Sequence, residues 1–90
     1  MVEIEFSSRY RRMFKELIGE QAELYDEVVW RVKRFRENQK DTRLKVHLLK
    51  RRLKGRWAFN IDDDVRILFE WKGKHKVRFL AIGGHDKVYR

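Results

Sequence analysis

The chain contains no cysteine, no proline, only five glycines and no long apolar run. Without cysteine, neither disulfides nor a thiolate metal site can hold its ninety residues together. No stretch approaches the ~20 apolar residues of a membrane span, and the N-terminal stretch lacks the apolar core of a secretory signal. The expected compartment is therefore the cytoplasm. A proline-rich linker, an internal repeat and a low-complexity tract are all missing, so one domain over residues 1–90 is expected. Acid is scarce beside base: Lys+Arg 23 against Asp+Glu 14, a net charge of +9. A small domain this basic expects a polyanion, with RNA or DNA phosphates first and an acidic protein second. The plainer reading of the same charge is a solvated, stabilising surface. At 42% hydrophobic and 13% aromatic residues, the chain is too apolar to be disordered.

Period-two patterning predicts three strands in the last third. Trp57, Phe59 and Ile61 alternate in the first; Val65, Ile67, Phe69 and Trp71 in the second; Val77, Phe79 and Ala81 in the third. The short links Asp62–Asp64 and Lys72–His75 make them an antiparallel meander. Val2 to Phe6 alternates as a further strand. Ser7 or Ser8 then caps a helix whose apolar stripe is Tyr10, Met13, Phe14, Leu17 and Ile18, with Gly19 ending it. A second helix is expected from about Glu20 to Asn38, packing Leu24, Tyr25, Val28, Val29, Val32 and Phe35. The expected fold is thus α+β: an N-terminal strand, then an antiparallel helix hairpin packed on a mainly antiparallel sheet. Residues 43–56 fit a helix or a strand equally well.

Three histidines are candidates for chemistry. His75 falls in a turn and reads as structural, and His47 taken alone reads the same way. His85 follows Gly83-Gly84, whose missing side chains allow a ligand close to the backbone. Arg66 interrupts an apolar strand, and its planar fork suits phosphate, although an ordinary solvated strand residue fits as well. Asp62, Asp63 and Asp64 read as a turn. The spacing of His47, Asp64 and His85 matches no metal motif, so neither metal nor cofactor is expected.

Several of these residues carry a resemblance. The run from Asp64 to Phe69, and the tail Ile82-Gly83-Gly84-His85-Asp86-Lys87-Val88-Tyr89, resemble the RelE/ParE toxin superfamily, in particular its histidine-bearing YafQ and RelE/StbE-like ribonucleases. Those end in Gly-Thr-His-x-x-aliphatic-Tyr/Phe. Lys45-Val46-His47-Leu48-Leu49 and Lys54-Gly55-Arg56-Trp57 resemble the upstream pieces of the same pattern, so the likeness spans the chain. Two departures stand out: Gly84 replaces the usual threonine, and Asn60 occupies the place of another histidine.

The resemblance implies a RelE-like fold and a toxin silenced by a cognate antitoxin. The toxin, monomeric when free, would cut mRNA on the ribosome. It nominates His85, Arg66, His47, Asp64 and Tyr89 as catalytic. Metal-free cleavage would use the ribose 2′-OH, with His85 as base, Arg66 on the phosphorane, His47 or Tyr89 as acid or orienting group, and Asp64 orienting a histidine. Arg43, Lys45, Lys50, Arg51, Arg52, Lys54 and Arg56 would bind RNA through its phosphates. The same surface could receive the antitoxin. Two other readings remain open: a ParE-like gyrase inhibitor and a noncatalytic RNA-binding protein.

Overall fold

The structure, a computed structural model, describes residues 1–89; residue 90 and the side chain of Arg52 lie outside the described residues. Its elements are β1 (Glu3–Phe6), α1 (Ser8–Glu20), α2 (Leu24–Glu37), β2 (His47–Leu48), β3 (Trp57–Asn60), β4 (Val65–Trp71), β5 (Lys76–Gly84) and α3 (His85–Val88). Five strands form one sheet in the order β1-β5-β4-β3-β2. The expected meander is β3-β4-β5, all antiparallel. The first strand joins it at the β5 edge in parallel, with Ile4 opposite Val77 and Phe6 opposite Phe79. Parallel pairing requires a crossover, and the helix hairpin supplies it.

That hairpin covers one sheet face. Phe35 of α2 is fully buried, stacks on Phe59 at 4.5 Å between ring centroids, and meets Phe69 and Phe79 edge-on at 4.9 and 5.8 Å. Tyr10 and Leu17 of α1 and Val28 of α2 complete this core against Ile67 and Ile82. Ser7 is the N-cap of α1. Its hydroxyl accepts from the Tyr10 N–H at 3.0 Å and donates to the Leu80 carbonyl at 3.3 Å, tying the helix start to β5. Ser7→Ala therefore costs about 1–2 kcal/mol. In a chain this small, thermal unfolding should register that as a fall of at least several degrees.

Three expectations are corrected. Gly19 does not end α1, which runs on through Glu20; Gln21 is the cap, its N–H donating to Leu17. The second helix accordingly starts at Leu24 rather than Glu20. Along β5, the pairing shifts between Leu68/Ala81 and Phe69/Phe79, leaving Leu80 as an extra residue. A bulge moves every later side chain to the other face. Ile82 thus joins Val77 and Phe79 in the main core, while Ala81 turns to the opposite face with Leu68 and Val88. Residues 43–56 form neither a helix nor a full strand. Two 3-10 turns, Thr42–Leu44 and Arg51–Leu53, flank the two-residue β2. Lys45 and Arg51 hold φ of 53° and 62°, which break any continuous element.

Candidate functional site

The sheet face away from α1 and α2 carries the predicted chemistry. Register places Asn60, Arg66 and Gly83 side by side on β3, β4 and β5. The neighbouring row, Ala58, Leu68 and Ala81, is continued by His47 on β2. Val88 of α3 packs on Leu68 and Ala81, with Tyr89 beside them, and this fixes the tail across the end of β4. As a result Arg66 and His85 share one aromatic ring. The Arg66 guanidinium carbon lies 5.9 Å from the Tyr89 ring centroid, and the His85 ring meets Tyr89 edge-on at 4.7 Å.

Each member has identifiable supports. Arg66 Nε donates to the Asp64 carbonyl and Nη2 to the Asp63 carbonyl, both at 3.2 Å, so the β3–β4 turn steers the guanidinium. Its remaining donors are uncommitted among the described residues. The His85 ring is open to solvent, its side chain 58% exposed. Its Nδ1 lies 3.6 Å from Asp86 Oδ1. Asp64 does not touch an imidazole: its Oδ1 accepts the His85 backbone N–H at 3.2 Å. Gly84, the N-cap residue of α3, carries no side chain, and the Asp64 carboxylate from another turn takes one of the unpaired N–H groups that open this helix.

His47 is exposed, with Nδ1 2.7 Å from the Lys45 carbonyl. A carbonyl only accepts, so Nδ1 carries the proton and Nε2 is left to exchange one. Two strand spacings and a two-residue offset put His47 and Arg66 roughly 12 Å apart between Cα atoms. Tyr89 is tighter to Arg66, yet its hydroxyl is buried without a partner among the described residues, as is Asn60 Oδ1.

The cationic run splits by partner. Arg43 is bound by Asp41 through two side-chain contacts of 3.0 and 2.7 Å, and Arg56 by Glu70 at 2.9 Å. The Arg43 guanidinium and the Arg43 backbone N–H hold the Asp41 carboxyl down at about 2. Lys45, Lys50, Arg51 and Lys54 are exposed and have no ion pair among the described residues. The Arg52 side chain lies outside the described residues. Asp62 is spent on its turn, accepting the Asp64 and Val65 N–H groups at 2.9 and 2.6 Å. Among the described residues no group of three or more His, Asp or Glu side chains is placed to hold a metal ion. Sequence reasoning passed over Trp30, whose ring has the guanidiniums of Arg31, Arg34 and Arg43 within 5.0–5.6 Å. Two of those arginines flank it on α2, so part of that cluster was visible in advance; Arg43 was not.

No family model matches the chain, and no curated protein matches it in sequence. Solved structures do. YafQ from E. coli superposes with a TM-score of 0.82 over 100% of both chains at 17% identity. The E. coli DinJ–YafQ toxin–antitoxin complex gives 0.79 at 20% identity, over 99% of this chain and 98% of that one. A YoeB/ParE toxin from Agrobacterium tumefaciens gives 0.75 at 11%, over 93% and 99%. The chain has the RelE/ParE toxin fold.

On the RelE/ParE fold, both departures from the resembled pattern acquire a local reason. A Cβ on Gly84 would stand 2.7 Å from Asp64 Oδ2, so threonine there excludes the present carboxylate position. Glycine and the Asp64 cap are thus alternatives to a capping side chain. Gly84→Ala should displace Asp64 and release the His85 N–H, a loss of about 1 kcal/mol at the start of α3. Hydrogen exchange at that amide should quicken roughly fivefold, a 1 kcal/mol change, with the sheet amides unchanged. Asn60 takes a place next to Arg66 where an amide, unlike imidazole, can donate or accept but not transfer a proton at neutral pH.

Proposed function

We propose that the chain is the toxin of a toxin–antitoxin pair, a cytoplasmic endoribonuclease that cuts mRNA on the translating ribosome. The observation that carries this reading is the pairing of His85 and Arg66 on the Tyr89 ring, open to solvent, on a fold shared with toxins. In this reading a phosphodiester lies over Arg66, whose free donors hold the non-bridging oxygens as charge develops on them. His85 removes the proton from the ribose 2′-OH. The O2′–P bond forms, the P–O5′ bond breaks, and the 5′ oxygen takes its proton from Nε2 of a His47 that enters the step protonated on both ring nitrogens. The products are a 2′,3′-cyclic phosphate and a 5′-hydroxyl, with no metal ion required. Tyr89 positions both principal groups, and Asp64 acts through the backbone of His85 as a positioning residue. Lys45, Lys50, Arg51 and Lys54 supply salt-sensitive contacts to RNA.

The partners in this reading are a cognate antitoxin, the ribosome and mRNA. DinJ with YafQ, and YefM with YoeB of Staphylococcus aureus, are such toxin–antitoxin pairings in proteins of this fold. Induced expression should arrest growth and truncate transcripts within their reading frames, as mapped by primer extension. Intact messages together with inhibited supercoiling by purified gyrase would replace this reading with the gyrase one. Intact messages with supercoiling unaffected would leave a noncatalytic RNA binder.

A further inference from the structure

Four residues follow one another across the open side of the sheet. His85 comes directly after β5, Arg66 is on β4, Asn60 on β3 and His47 on β2. In the proposed cleavage step the attacking ribose lies at His85 and the phosphate at Arg66. The departing 5′ oxygen belongs to the next nucleotide and faces His47. RNA therefore runs 5′ to 3′ from β5 towards β2, and the nucleotide downstream of the cut crosses β3.

Asn60 is the side chain at that crossing. It pairs with Arg66, so the two backbones are about 5 Å apart. With Arg31, Arg43, Lys45, Asp62 and Asp63 it lines a cavity of about 220 Å3. Its Oδ1 is buried without a hydrogen-bond partner among the described residues, although the residue as a whole is half-buried. An unpaired buried acceptor is a cost that an arriving donor relieves. The last torsion of asparagine is broad and roughly two-fold, so a half-turn exchanges its two ends and can bring Oδ1 to the cavity. RNA chemistry limits which donor arrives. A phosphodiester offers acceptors only, base edges stand beyond the sugar, and the 2′-OH is the donor nearest the strand.

The cations of the cavity suit the phosphate that comes next. Lys45 is exposed and has no ion pair among the described residues. Arg31 is held by Glu27 and the Arg43 carbonyl, and Arg43 by Asp41, yet each keeps a terminal nitrogen uncommitted among the described residues. Asp62 and Asp63 repel a phosphate from the turn side and direct it towards Lys45. We infer that Asn60 selects ribose at the nucleotide downstream of the cut, its Oδ1 accepting from that 2′-OH, while Lys45, Arg31 and Arg43 hold the following phosphate. This rests on the proposed cleavage reaction and adds a second sugar to the one that reacts.

The test is single-turnover cleavage of synthetic ribosome-bound messages carrying one 2′-deoxy sugar, placed just upstream or just downstream of the cut. Upstream, the change removes the nucleophile and should abolish cleavage. Downstream, it should slow the wild-type protein roughly tenfold, the loss of about one hydrogen bond. Asn60→Leu is similar in size and lacks the orphaned acceptor, so its melting temperature should hold or rise. It should cut the all-ribose message roughly tenfold more slowly and no longer distinguish the downstream sugars, because the two changes remove the same contact. A wild-type protein indifferent to the downstream sugar overturns the inference, as does an Asn60→Leu variant that still discriminates. So does a preference for one downstream base that Asn60→Leu abolishes, which assigns the amide to a base edge. Cleavage of the upstream-deoxy message, or of no message, overturns the cleavage reading itself and the inference with it.

Discussion

On the proposed function, replacing Arg66 or His85 with alanine is expected to lower RNA cleavage by roughly 10²–10⁴-fold, the range seen when a positioned proton-transfer or charge-stabilising group is removed. The two replacements act differently. Loss of Arg66 would remove the donors proposed to hold the phosphate and would also free the Asp63 and Asp64 carbonyls, so the β3–β4 turn should loosen with it. Arg66→Lys keeps the charge but not the fork, and recovers only part of the lost rate. Loss of His85 should leave the sheet intact, because among the described residues its ring's aromatic and ionic contacts are with Tyr89 and Asp86, and its side chain is 58% exposed. Single-turnover cleavage of ribosome-bound mRNA, measured beside thermal unfolding of each variant, separates the chemical loss from the structural one. Wild-type rates from both alanine variants would remove the site.

The largest effect on stability belongs to Phe35. Its ring is 0% exposed and contacts Phe59, Phe69 and Phe79 on three different strands, so it is the point where α2 is joined to the meander. Phe35→Ala removes those contacts and leaves a cavity that a sheet on one side cannot close. The cost is about 3–5 kcal/mol. A domain of this size is held by only about 5–15 kcal/mol, so the variant should approach or cross its unfolding threshold at growth temperature. Urea titration followed by tryptophan fluorescence reads this as a lower midpoint with the slope unchanged. Phe35→Leu, which keeps most of the volume, should cost clearly less.

Strong local patterns carried most of the fold. The run from Val65 to Trp71 is a strand because its alternation and its flanking turns agree, and the Ser7 cap announced α1. Where the pattern failed, the deciding contact was distant. The bulge at Leu80 exists only in relation to β4, so Ala81 and Ile82 exchanged faces without any local sign. Gly19 has nothing within 4 Å of where a Cβ would stand and is simply tolerated inside α1. Residues 43–56 were ambiguous because their leucines serve different surroundings: Leu44 is fully buried, whereas Leu48 is half exposed. For the site, residue types suggested His85 and Arg66. The role of Asp64 at the His85 backbone depends on Gly84 approaching a separate turn, which spacing alone does not reveal.

The central claim is that an imidazole and a guanidinium beside Tyr89 drive attack by the ribose 2′-oxygen on its own phosphate. Determining the chemical ends of the cleaved RNA by mass spectrometry tests it most directly. The account predicts a 2′,3′-cyclic phosphate on the upstream fragment and a 5′-hydroxyl on the downstream one. A 3′-hydroxyl paired with a 5′-phosphate would contradict it.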